Sequence, residues 1–71
     1  MKSISISTEY ITLGQFLKLA QCIATGGHAK SFLQETEVLI NGEPDNRRGR
    51  KLRAGDTVVV AGCGQFTVVG Q

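Results

Sequence analysis

There is no tryptophan in this chain, only one tyrosine, one proline and one histidine, and no apolar run longer than Val58-Val59-Val60-Ala61. That run falls far short of the roughly 20 apolar residues a membrane-spanning helix needs. The opening MKSISISTEY lacks the apolar stretch of a signal peptide. Both absences point to the cytoplasm and away from a membrane. With no C-x-x-C pair and a single histidine, a zinc site lacks soft ligands at workable spacing. Cys22 falls in a helical region and Cys63 in a turn, so both are expected as free thiols. Acid is missing from one place in particular: Asn46 to Gly55 contains no Asp or Glu. Five of the eight basic residues fall in that stretch: Arg47, Arg48, Arg50, Lys51 and Arg53. A net charge of +2 therefore conceals a strongly cationic loop. Charge concentrated in this way meets a polyanion without making the remaining surface basic. The competing reading is an ordinary solvated loop, and charge alone does not choose between them.

Seventy-one residues make one domain, 1–71, with no room for a second core. A chain of this size buries only about 60% of its unfolded surface, so its stability is modest. A 41% hydrophobic content suits a small α+β domain and not a disordered tail. Ser3-Ile4-Ser5-Ile6-Ser7 alternates like a half-buried strand, either the first of a sheet or a frayed leader. Thr12 and Gln15 make a capping box, and Ile11 with Phe16 a hydrophobic staple. Leu13, Phe16, Leu17, Ala20 and Ala24 then repeat at helical spacing up to Gly26-Gly27. A second short helix is predicted from about Gly27 to Glu35, capped by Thr25, with Ala29, Phe32 and Leu33 inward. After Thr36 the period changes to Val38-Leu39-Ile40 and an Asn41-Gly42 hairpin. Beyond the basic loop, Ala54-Gly55-Asp56 turns into Thr57–Ala61, and Gly62-Cys63-Gly64 into Phe66–Val69. The order is a strand, two helices, then a mostly antiparallel sheet of about four strands.

These pieces, in this order, resemble the S-four RNA-binding domain, also called the αL domain. The stretches that carry the likeness are Leu13 to Leu17, Thr25-Gly26-Gly27-His28-Ala29-Lys30, Val38-Leu39-Ile40-Asn41-Gly42 and Gly55-Asp56-Thr57-Val58. They span roughly residues 10 to 60. Gly-Gly-x-Ala-Lys, and Asn-Gly-Glu followed by Arg-Arg-Gly-x-Lys-Leu, resemble the small stand-alone bacterial branch, the YaaA and YbcJ type. Each motif alone is common; their order and spacing are specific. The chain departs from the wider family at Thr12 and Gly14, where Arg and Asp are frequent. It also has Gly26 or Gly27 where the turn into the second helix often carries Arg. The resemblance implies an αL-type α+β fold, two short helices packed on a small mostly antiparallel sheet.

It implies, too, non-catalytic binding of structured RNA, ribosomal or transfer RNA, by a monomer without metal or organic cofactor or small-molecule substrate. Arg47, Arg48, Arg50, Lys51 and Arg53 are the expected phosphate contacts, Arg by its planar fork and Lys as a mobile charge. Gly49 is read as letting the backbone approach closely in an awkward dihedral. Lys18 and Lys30 are expected to assist from the helices, against the alternative of plain solvation. His28 is either a turn residue or a contact to phosphate or base. Phe16 and Phe32 follow the core stripes, and Tyr10 packs where the first helix begins. Scarce exposed aromatics favour structured RNA over single strands. The acidic residues sit at turns and element ends, with Asp56 shaping the Gly-Asp turn, and there is no GxxxxGK loop. The competing class is a ubiquitin-like β-grasp sulfur carrier or protein adaptor. It requires a Gly-Gly tail, where this sequence has Val69-Gly70-Gln71.

Overall fold

The capping box at Thr12 sets where the first helix begins. In the computed structural model, which describes residues 2–70, Thr12 is extended (φ −81°, ψ 158°). Its Oγ1 accepts from the Gln15 N–H, and Gln15 Oε1 accepts from the Thr12 N–H at 3.1 Å. Met1 and Gln71, which entered the readings of a leader and of a tail, lie outside the described residues. The chain runs β1 (Lys2–Ile6), β2 (Ile11–Thr12), α1 (Leu13–Leu19), a 3₁₀ turn (Gly26–His28) and α2 (Ala29–Glu35). It continues through β3 (Val38–Ile40), β4 (Glu43–Pro44), β5 (Lys51–Leu52), β6 (Thr57–Val60) and β7 (Gly64–Gly70). No helix among the described residues is long and apolar enough to cross a membrane.

Helix α1 stops earlier than its apolar stripe predicts. Gln21 adopts a left-handed φ of 64°. The Cys22 N–H then reaches the Leu17 carbonyl at 2.9 Å, and the Gln21 N–H reaches that of Lys18 at 3.1 Å. This is a Schellman closure with glutamine where glycine is usual, so no glycine announced it. Its consequence is that Ile23 is buried and Ala24 exposed. Thr25 opens the second helical stretch through its backbone alone: its carbonyl accepts the His28 N–H at 3.1 Å, without a side-chain cap.

Five strands form one sheet in the order β1-β7-β6-β3-β4. The N-terminal alternation is a strand of that sheet, parallel to β7, and the other pairings are antiparallel. Asn41 and Gly42 both take positive φ, 53° and 85°, the pair a type I′ turn requires. The Asn41 side chain also donates to Asp56 Oδ1 at 3.1 Å and accepts from the Thr57 N–H at 3.0 Å. Asp56 Oδ2 in turn accepts the Arg53 N–H at 2.8 Å. The Asn-Gly and Gly-Asp motifs are thus one hydrogen-bonded structure that fixes where the basic loop ends.

Leu13, Phe16 and Leu17 of α1 and Ala29 and Leu33 of α2 pack against Val38, Ile40, Val58, Val60, Phe66 and Val68 of the sheet. The Phe16 and Phe66 rings meet edge to face, with centroids 5.5 Å apart. Ile11, the staple residue before the cap, is buried in the same cluster. Phe32, expected in the core, is only partly buried at its border. The cysteines correct the expectation of free thiols: Cys22 and Cys63 form a disulfide, with Cα atoms 5.9 Å apart. The early end of α1 leaves Cys22 beside the turn between β6 and β7, a proximity that sequence spacing does not encode.

Candidate nucleic-acid interface

The basic loop is anchored to the start of α1. The first donors of a helix have no partner within it. Here the Leu13 N–H donates to the Arg50 carbonyl at 2.7 Å, and the Gly14 N–H to the Arg48 carbonyl at 3.0 Å. With the Gln15 N–H taken by Thr12, three such donors are satisfied. The same contact is extended by an unpredicted two-stranded ribbon, β2 antiparallel to β5, with Ile11 opposite Leu52 and Thr12 opposite Lys51. Leu52 is fully buried and pins the ribbon to the core. A loop of mobile charge is thereby turned into a fixed frame.

Within that frame Arg47 to Arg50 is a tight turn, closed by the Arg50 N–H on the Arg47 carbonyl at 3.1 Å. Gly49 stands at its tip, outside the left-handed region and with nothing within 4 Å of where a Cβ would lie. A glycine is required sterically at Gly14, where a Cβ would come within 2.9 Å of Arg48 Cγ. Glycine at this position, one of the departures from the wider family, is what lets the Arg48 stem lie on α1.

The turn presents cations on two sides. Arg48 and Gly49 line a groove with Gly14, Gln15, Lys18 and Gly26. Arg47, Arg50, Lys51 and Arg53, together with Asp56, line a second depression, which also reaches Gly49. The tip is therefore a saddle between two basic surfaces. Lys18 borders the groove and also a shallow hollow that contains His28. The His28 ring itself lies edge-on to Phe32, with centroids 6.2 Å apart. Lys30 is exposed on α2 and, among the described residues, has no hydrogen bond or ion pair joining it to the loop. Lys51 and Arg53 project from β5 and its end over the exposed ring of Tyr10, 5.0 and 5.8 Å from its centroid.

Asp45, one residue outside the acid-free stretch, organises the turn. Its carboxylate takes a forked pair of bonds from Arg47 Nε (3.1 Å) and an Arg47 terminal nitrogen (2.8 Å), and another from Arg50 at 3.0 Å. The Arg47 N–H also donates to it, at 2.9 Å. The Arg47 side chain holds the Asp45 carboxyl well below the usual carboxylate range; partial burial opposes this, and the Arg47 N–H and Arg50 add to it. Its stabilising contribution is therefore complete above the unfolded value of about 4 and lost as the pH falls below it. Asp45→Asn is expected to flatten the acid limb of a plot of Tm against pH between roughly pH 5 and 2. An acid limb as steep as the wild type's would show that other carboxylates dominate.

Among the described residues no group of three or more His, Cys, Asp or Glu side chains converges in a way that could hold a metal ion. A family model described as "S4 domain" matches residues 4–69. The chain is 68% identical over 66 residues to a Bacillus subtilis (strain 168) protein described as "Probable ribosome maturation protein RlbA", covering 93% of each.

Proposed function

This chain belongs to the S4 domain family, and on that footing we propose that it binds structured RNA, ribosomal RNA foremost. The observation that carries this is the frame around the loop: helix donors, ribbon and Asp45 hold Arg47, Arg48 and Arg50 in place before any ligand arrives. Preorganised cations spend less side-chain entropy on binding than the same charges on a free loop. Phosphate contacts would set register and most of the affinity. Arg48 and Lys18 would hold one stretch of backbone, and Arg47, Arg50, Lys51 and Arg53 another, on either side of Gly49. Lys30 and His28 are peripheral contacts in this arrangement. The ribosome-maturation description of the relative favours ribosomal over transfer RNA.

The proposed role is binding without catalysis, by a monomer in the cytoplasm. The S4 match leaves the β-grasp sulfur-carrier reading without support.

Cross-linking in cells followed by sequencing of the bound RNA tests the proposal. A defined ribosomal segment should be enriched, and purified protein should bind it with a log–log salt slope of roughly −3 to −4.5 for four or five phosphates. Enrichment of transfer RNA would redirect the assignment. Absence of any RNA above background would end it.

A further inference from the structure

The β2–β5 ribbon has an outward face that phosphate binding alone does not use. Ile11 and Leu52 point into the core, so the alternation of strands turns their neighbours outward. Thr12 lies opposite Lys51, and continuing the register places Tyr10 opposite Arg53. Tyr10 is 39% exposed, one of two large hydrophobic side chains among the described residues that remain so, and Lys51 and Arg53 both lie over its ring. From sequence alone this residue is expected to pack where the first helix begins. Instead it forms a flat π-surface bordered by two of the cations assigned to phosphate.

Resting on the RNA-binding reading, we propose that Tyr10, Lys51 and Arg53 form a site for one unpaired nucleotide beside a helical stem, its base stacked on Tyr10 and its phosphate held by the two cations. A nucleotide carries a flat ring and an anion side by side, the complement of this cluster. An exposed cation–π contact is weaker than a base stack. A phosphate that draws Lys51 and Arg53 outward therefore lets a base take the ring face at a net gain. The remainder of the interface reads backbone and shape; this corner would distinguish a bulged or flanking nucleotide from continuous duplex.

The chain has one tyrosine and no tryptophan, so its tyrosine emission reports Tyr10 alone. Two RNA hairpins of identical stem, one fully paired and one with a single bulged adenine, are titrated at low salt. The wild type is expected to prefer the bulged hairpin about tenfold, within the range of base–aromatic stacking, with Tyr10 emission quenched in that complex only. Tyr10→Phe should keep the preference. Tyr10→Leu should bind both hairpins with the affinity of the paired one. A preference that survives Tyr10→Leu, or emission unchanged in the bulged complex, overturns the proposal. So does an equal loss on both hairpins, which would mean that the ring only positions Lys51 and Arg53. In each of those cases RNA binding itself stands; failure of both hairpins to bind the wild type removes both.

Discussion

Replacing Arg47, Arg48 and Arg50 together by alanine is expected to weaken binding to structured ribosomal RNA by roughly 10²- to 10³-fold, as three charge-assisted contacts are lost. The salt slope should become shallower by about three, one for each phosphate released. These residues are not equally free, and this decides how the variant should be read. Among the described residues Arg48 makes no ion pair, whereas Arg47 and Arg50 share Asp45, whose side chain is only 9% accessible. Truncating both partners leaves that carboxylate with only the backbone N–H of residue 47 as a donor. A cost of about 1 kcal/mol is expected, lowering Tm by about 4–8 °C in a domain this small. The fold should survive, because the backbone bonds from Leu13 and Gly14 to the loop do not depend on those side chains. Arg48→Ala tests the same surface without disturbing Asp45. Gly49→Gln adds a side chain where the protein has open space, so it should leave Tm unchanged and obstruct RNA crossing the saddle. Loss of binding in the triple variant with wild-type affinity in both single variants would move the RNA off the tip of the loop.

The sequence shows most clearly what is decided by contacts close along the chain. Thr12 and Gln15 cap a helix because a hydroxyl and an amide three residues apart face the same donors, and they do so in the structure. Asn41-Gly42 reads as a hairpin because few other pairs accept two positive φ values, and both residues have them. Order and spacing of such signals were enough to indicate the S4 family, which the match over residues 4–69 shows. What the sequence concealed depends on partners distant in the chain or on an unusual residue in a familiar role. Gln21 ends α1 in a left-handed position that glycine usually holds, and Cys22 meets Cys63 as a result. The pairing of Ile11 with Leu52 involves two residues per strand, too few for any periodicity. Asp45 is adjacent to the acid-free stretch, but only the turn at Arg47–Arg50 folds two arginines back onto it. The basic loop was legible as charge. Its rigidity was not, because that comes from α1.

Phe16→Ala provides the complementary loss, from beneath the interface. Phe16 is fully buried, and its ring rests edge-on against Phe66 of β7, so it ties α1 to the sheet. Truncation to alanine removes that burial and leaves a cavity, at an expected cost of about 3–5 kcal/mol. A domain of this length has on the order of 4–10 kcal/mol in total. The variant should therefore be largely unfolded near physiological temperature, with a collapsed Tm and a shallow, early denaturant transition. Phe16→Leu keeps most of the volume and should remain folded with a lowered Tm. RNA binding should follow helix formation across this series, since Leu13 and Gly14 hold Arg50 and Arg48 only while α1 is seated. Addition of RNA should raise the Tm of Phe16→Leu by mass action, because only the folded frame gathers the cations. No such rise is expected for the triple arginine variant under the same conditions. If RNA stabilised neither the wild type nor Phe16→Leu, the link from helix seat to loop frame to phosphate would be broken at its last step. A wild-type affinity in an unfolded Phe16→Ala chain would break it earlier, by showing that loose charge suffices.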